Sequence, residues 1–271
     1  MAPIATLRAR APTPAVATAL NGDIDIAVVG RILANPGRCR ILLALGDGRA
    51  LAAGQLAAEA GVTPATASSH LAKMVTTGLL TVEIRGRNRY YRITGPPVGR
   101  LIEVLAQLAP AASVRSLRQG VRAQALREAR TCYDHLAGQL GVAIMSSMIA
   151  AGHLTRGDAD GTEGTGTDIR AGYGHAFDYR FTSSGVPFLV DFGVALPRQS
   201  IIRYCLDWSE RRHHLAGPAG RGLLNRLLDL AWLRRSPASR AVSVTEAGRR
   251  GIADTFDVVI AIDDGGDRWR H

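Results

Sequence analysis

The sequence predicts a mainly α chain with small β-hairpins, an α+β fold, in two parts. Three observations predict it: helical apolar spacing over residues 24–77, a Gly-Val-Thr-Pro turn between two short helices, and a strand pattern over residues 81–94. Ile24 to Leu33 carries apolar residues at helical spacing; Asn35, Pro36 and Gly37 then break the pattern and start a second helix, Arg38 to Leu45. Gly46, Asp47 and Gly48 end it. Leu51 to Ala60 is a short alanine-rich helix. Gly61 to Pro64 turns into the next, with Thr63 as N-cap and Pro64 at the first helical position, and Gly78 stops that helix after Thr77. Thr81 to Thr94 alternates and is rich in Val, Ile, Tyr and Thr around Gly86, Arg87 and Asn88, which reads as a hairpin. Val98 to Leu108 closes the unit as a helix. This order of elements is that of a winged helix-turn-helix, in which the helix after the tight turn enters the major groove.

The expected domain plan is a disordered arm over residues 1–22, the winged unit over 23–109 and a small-residue linker over 110–113. A C-terminal sensing or dimerisation domain follows over 114–265, with a mobile Gly/Thr/Asp-rich loop at 158–174, and a tail over 266–271. Within that domain, residues 114–154 and 206–233 read as helical, 177–194 as strands, 240–245 as a short strand, and Glu246 onward as a last helix. It also echoes itself. His135-Leu136-Ala137-Gly138 matches His214-Leu215-Ala216-Gly217, Cys132-x-Asp134 matches Cys205-x-Asp207, and Thr182 to Gly185 matches Thr245 to Gly248. The echo predicts two degenerate winged-helix-like repeats packed together.

Composition narrows the partners. In 271 residues, 46% of them apolar, 33 basic side chains face 23 acidic ones for a net charge of +10, which favours a polyanion. Lys73 is the sole lysine, so the charge is almost wholly arginine, suited to forked phosphate and guanine contacts. Three scattered cysteines make no disulfide framework and fit a reducing cytoplasm. No apolar run approaches the roughly 20 residues of a membrane span.

Asn35, Pro36, Arg38, Arg40, Ile41 and Leu42, with Leu56-Ala57, Ser68, His70-Leu71, Gly78-Leu79-Leu80, Arg87, and Arg89-Tyr90-Tyr91, form a pattern that resembles the ArsR/SmtB family of bacterial repressors. The C-terminal half is similar to the tail of its longer members. The resemblance implies a cytoplasmic, nucleoid-associated homodimer built on the first and last helices of the unit. Such a dimer would bind a palindromic operator in double-stranded DNA and leave it when an effector binds. Candidate DNA contacts are Thr63, Pro64, Thr66, Ser68, Ser69, His70 and Lys73 on the recognition helix. On the wing they are Arg85, Arg87, Asn88 and Arg89, with the three arginines expected on one face. The cysteines with which many members bind metals at residues 51–55 are absent, and the closing helix offers only Glu103.

For the second half three effector classes stay open: a metal ion, a redox change at Cys132 or Cys205, and a small organic molecule between the repeats. The metal reading rests on Cys132 and His135, three apart on one helix face, completed by Cys205 with His214 or His213 if the repeats pack face to face. No cofactor is certain. Two other functions compete with the regulator. One is a winged-helix protein-interaction module without DNA binding. The other is a methyltransferase-like enzyme with its cofactor turn at Phe188 to Gly193, which fails for want of the further glycines, so the expectation is no enzyme.

Overall fold

A computed structural model describes residues 24–110, 113, 116–158, 177–197, 202–237, 239–263 and 266–270. The arm expected over 1–22 and nearly all of the loop expected over 158–174 lie outside the described residues.

The head runs α1 (Ile26–Leu33), α2 (Pro36–Ala44), β1 (Leu51–Ala52), α3 (Ala53–Ala60), α4 (Pro64–Thr76), β2 (Leu80–Arg85), β3 (Asn88–Ile93) and α5 (Pro96–Leu108). Local chemistry sets these boundaries. Asn35 caps α2 by accepting from Arg38 N, and Thr63 caps α4 by accepting from Thr66 N, each followed by a proline at the first helical position. Ile41, Leu56, Leu71, Met74, Tyr91 and Ile93 are buried in one core, so α4 is fixed by its Ala67-Leu71-Met74 stripe. β1 and β2 flank β3 in a three-stranded antiparallel sheet. Gly86 turns β2 into β3 at φ 60°, a conformation that glycine adopts without a side-chain clash.

After α6 (Leu117–Glu128) the chain forms hairpin β4 (Arg130–Cys132) and β5 (His135–Ala137), helix α7 (Gly138–Ala150), hairpin β6 (Leu154–Asp158) and β7 (Phe177–Phe181), and helix α8 (Gly185–Asp191). It then forms hairpin β8 (Arg203–Leu206) and β9 (His213–Ala216), helix α9 (Gly217–Asp229), hairpin β10 (Leu233–Arg235) and β11 (Val242–Val244), and helix α10 (Glu246–Phe256). A last hairpin pairs β12 (Val259–Asp263) with β13 (Gly266–Arg270). Both stretches therefore follow the order hairpin, helix, hairpin, helix. They share one apolar core that includes Leu140, Ile144, Met148, Leu223, Leu227, Ile252 and Phe256.

Four expectations for this half are corrected. Residues 114–154 are not continuously helical, because the chain turns over at Tyr133 and Asp134 and pairs β4 with β5. The helix read over 206–233 likewise begins only at Gly217, after the β8–β9 hairpin. The strand pattern over 177–194 stops at Phe181, and Gly185–Asp191 is helical, so the Phe188 to Gly193 segment is no nucleotide-binding strand. Of the tail at 266–271, Gly266–Arg270 is a paired strand.

Candidate DNA interface and a buried thiol–imidazole cluster

Burial of the α4 stripe turns the opposite side of that helix outward: Thr63, Pro64, Thr66, Ser68, Ser69 and Lys73 are exposed. The Thr63 and Thr66 hydroxyls lie 2.9 Å apart and share a hydrogen bond, which orders the start of the exposed face. His70 is half-buried; its Nε2 lies 3.2 Å from where a Cβ would stand on Gly37, at the start of α2. Burial, reinforced by Arg38 and Lys73, lowers its pKa, so the ring is neutral at neutral pH and able to accept as well as donate.

Arg85, Arg87, Asn88 and Arg89 are all exposed at the wing, yet the arginines do not share a face. Period-two alternation holds along one strand and does not carry through the turn. Arg85 pairs across the hairpin with Asn88, Arg89 pairs with Ile84 on the other face, and Arg87 sits in the turn itself. Arg85 is also engaged by Glu83, at 3.0 and 2.9 Å, and lies over the Tyr90 ring. Arg87 and Arg89 are the exposed wing arginines that make no hydrogen bond or ion pair among the described residues.

In the second half the structure brings together Cys132, His135, Cys205 and His214. One donor atom from each lies within 4.8 Å of the others. Cys132 and His135 are not one helix face; they are opposite residues of the β4–β5 pair, as Cys205 and His214 are of the β8–β9 pair. Each hairpin thus supplies one sulfur and one imidazole. β5 packs on β9, α7 covers β9 and α9 covers β5, so each stretch's helix closes over the other's hairpin. His213 belongs elsewhere: as the next residue along β9 it points the other way, and its Nδ1 is 2.8 Å from the Tyr179 hydroxyl.

The two Cys-x-Asp aspartates flank the cluster and tie the stretches together. Asp134 Oδ1 is 3.1 Å from His135 Nδ1, while its other oxygen accepts from Arg221 Nε of α9 at 2.6 Å. Asp207 lies 3.5 Å from His214 Nδ1, within charge contact but outside hydrogen-bond geometry. It accepts from Arg130 at 2.8 Å and from Gly138 N, at the start of α7, at 2.7 Å. Burial works against its ionisation, but Arg130, with His214, Ser209 and the Gly138 N–H, holds its carboxyl far below the usual carboxylate range. Arg130 also lies 4.6 Å from the Trp208 ring centre. The side chains sequence reasoning missed are these outer partners, although the repeated Cys-x-Asp marked two of them.

The sulfurs are inequivalent. Hydrogen bonding with Cys132 lowers the Cys205 thiol to about 5 against the penalty of burial, and His135 lowers it further. The same interaction, together with burial, pushes the Cys132 thiol up. Burial opposes a charge on His135, yet Asp134 and Cys205 raise it to about 9. No hydrogen bond of good geometry reaches His135 Nε2, so the attraction to Cys205 acts through space. Cys205 is thus the more acidic sulfur of the cluster, and His135 is a stronger base than an ordinary imidazole. Reduced protein without added metal is expected to lose its thiolate ultraviolet absorbance as the pH falls through about 5, instead of near the ordinary 9.0. A titration with no step near 5 removes the thiolate assignment. The folded Cys205 thiol is the stronger acid, so its contribution to stability is full above the ordinary thiol range and is lost as pH falls through about 5. His135 has the opposite sign: its contribution is full below 6.5 and is lost as pH rises through about 9.

Head and second half are joined around this cluster. Tyr133, at the turn between Cys132 and His135, takes φ 54° and inserts its ring into the head. There its ring carbons lie 3.1 Å from the Cβ position of Gly99 on α5 and 3.2 Å from that of Gly48. Tyr133 N donates to Gly46 O at 2.9 Å. Glu103 of α5 is held by Arg240, which donates to its Oε1 at 2.9 Å with both side chains buried.

Among the described residues no helix is long and apolar enough to cross a membrane. A helix-turn-helix domain family matches residues 33–83. An HTH-type transcriptional regulator of Bacillus subtilis, YdfF, is 39% identical over 241 residues, covering 87% of this chain and 99% of its own. The regulator CmtR of Mycobacterium tuberculosis is 40% identical over 83 residues, 31% of this chain and 70% of its own. A solved homodimeric winged helix-turn-helix domain from Mycobacterium bovis, described as a possible ArsR-family regulator, is 37% identical. It covers 31% of this chain and 75% of its own, at a TM-score of 0.28. Since the YdfF match spans 87% of this chain and 99% of that regulator, the chain belongs to the HTH-type transcriptional regulators, with a DNA-binding helix-turn-helix in its head.

Proposed function

We propose that this DNA-binding regulator acts in the cytoplasm as a homodimeric repressor, not as an enzyme, and that it reads a two-fold symmetric operator which it leaves when an effector binds. The observation that carries the reading is the outward polar face of α4, on which Ser68, Ser69 and Lys73 are exposed while Ala67, Leu71 and Met74 are buried. Hydroxyls and one ammonium on such a face suit base edges and phosphates, and half-buried His70 supports the helix start while its neutral ring faces a purine edge or phosphate. Arg87 and Arg89 serve phosphates or the minor groove, with Asn88 beside them and Arg85 positioned by Glu83. The exposed apolar residues Ile24 and Ile26 at α1, with Val104 and Leu108 on α5, support a dimer formed on those two helices. The matched order of elements in the two C-terminal stretches supports a duplicated scaffold that serves sensing.

The test is capture of genomic DNA by the purified chain, followed by titration of the recovered site. A palindrome with half-sites about one helical turn apart is expected; absence of any specific site at physiological salt would leave an interaction module instead. Arg87→Ala is expected to weaken binding to all sequences and to flatten the salt dependence by about one phosphate contact. An unchanged slope removes the wing from the interface.

A further inference from the structure

Four donor side chains, three of them buried, lie together in the second half, far along the chain from the DNA-facing residues, with two imidazoles left short of partners. We propose that Cys132, His135, Cys205 and His214 form a four-ligand site for a divalent cation of the zinc type, and that filling it changes DNA affinity through Tyr133.

The donor set is the first reason. Two thiolates and two imidazoles suit a tetrahedral d10 ion, and four protein donors leave no open position for chemistry on a substrate. Bond lengths to zinc of about 2.3 Å for sulfur and 2.0–2.1 Å for nitrogen set donor–donor distances of about 3.3–3.8 Å. The donors already lie within 4.8 Å of one another, so the ion has to draw them in by only about 1 Å.

The second reason is the state of the imidazoles. His135 and His214 are 5% and 0% exposed, and their buried Nε2 atoms find no hydrogen-bond partner among the described residues. An orphaned buried nitrogen is costly, and an ion satisfies both at once. Each ring turns its Nδ1 to an aspartate, Asp134 at 3.1 Å and Asp207 at 3.5 Å. A carboxylate behind the outer nitrogen fixes the ring and raises its basicity as a metal ligand. Cys205 is the half-buried member and gives the ion its way in from solvent.

The third reason concerns transmission. Cys132 and His135 flank the turn that holds Tyr133, whose ring is wedged between Gly48 and Gly99 of the head in a backbone conformation unfavourable for a non-glycine residue. Next to Cys132, Thr131 N donates at 2.9 Å to the carbonyl of Arg240, whose guanidinium holds Glu103 on α5. Drawing the two ligands inward therefore moves the ring and the ion pair that seat α5, the helix on which the proposed dimer is built. This part rests on the DNA-binding reading above; the metal site does not.

Uptake is read first, without DNA. Reduced full-length protein is titrated with Co(II) and then with Zn(II). One ion per chain is expected, with sulfur-to-cobalt charge-transfer and tetrahedral d–d bands that vanish when Zn(II) displaces it. Loss of an outer carboxylate costs about 10- to 100-fold in metal affinity, so Asp134→Asn is expected in that range, and Cys205→Ser or His214→Gln is expected to cost more than about 100-fold. Cys39→Ser is expected to bind as the parent does. Circular dichroism of each variant without metal checks that it is folded. No stoichiometric uptake by the reduced parent, uptake that survives Cys205→Ser in a folded protein, or uptake lost in Cys39→Ser overturns the site.

DNA affinity is then measured with and without Zn(II). A change of about 5- to 150-fold is expected in the parent, retained in Tyr133→Phe and lost in folded, metal-binding Tyr133→Ala. Tight uptake with unchanged DNA affinity overturns the transmission through Tyr133. Intact uptake with no DNA binding in either state overturns the DNA reading and leaves the site standing.

Discussion

Replacing Asp207 with alanine is expected to destabilise the protein by about 3–5 kcal/mol, the range found when one partner of a buried ion pair is removed. Asp207 and Arg130 are both fully buried, 2.8 Å apart, so the variant strands a guanidinium in a medium that solvates it poorly. It also removes the acceptor for Gly138 N at the start of α7 and for the backbone N–H groups of Ser209 and Glu210. Denaturant unfolding of parent and variant measures the loss. A difference below about 1 kcal/mol would mean that water reaches Arg130 and that the pair behaves like an exposed one. The Arg130→Met, Asp207→Leu double variant separates two effects: recovery of stability would mean that the stranded charge, not the lost attraction, causes most of the damage.

Glu103→Ala is the second large effect, again about 3–5 kcal/mol, because Arg240 is left buried and unpaired. Its location gives it a further signature. Glu103 lies on α5 of the head and Arg240 in the second half, beside the bonds from Arg49 to the carbonyls of Ser236 and Ser239. Weakening that seam is expected to split unfolding into two calorimetric steps, since each half has its own core. A single cooperative step shifted by the full amount would show that Tyr133 and the Arg49 bonds suffice to keep the halves coupled.

The head was legible because its boundaries are written in local chemistry. Thr63-Pro64 marks the start of α4, Gly86 marks the wing turn, and a 13-residue amphipathic helix carries its own period. The second half was misread where the signals are short. β4 and β5 have three residues each, too few for a strand period to emerge from alanine-rich surroundings. Their turn, Tyr133-Asp134, has neither glycine nor proline; the positive φ of Tyr133 is held by its ring's seat in the head, a tertiary cause with no local signature. The proximity of these four side chains was nonetheless legible, because the Cys-x-Asp and His-Leu-Ala-Gly echoes placed them as counterparts. The elements carrying Cys132, His135 and His214 were read as helices where the chain forms hairpins. The wing arginines failed for the mirror-image reason: alternation in sequence was carried across a turn that reverses it.

The crossed packing of the two stretches has a consequence for how the chain is made. Elongation proceeds from the N-terminus, and the buried core of the head lies within residues 32–102, so it can collapse once α5 has emerged, with Tyr133 and Arg240 seating α5 later. The β4–β5 hairpin has no such independence. Its cover is α9, and the partner of Arg130 is Asp207, 77 positions further on. Until those residues leave the ribosome, the nascent chain carries a collapsed reader, with Glu103 still waiting for Arg240, joined to an open, apolar and charged intermediate.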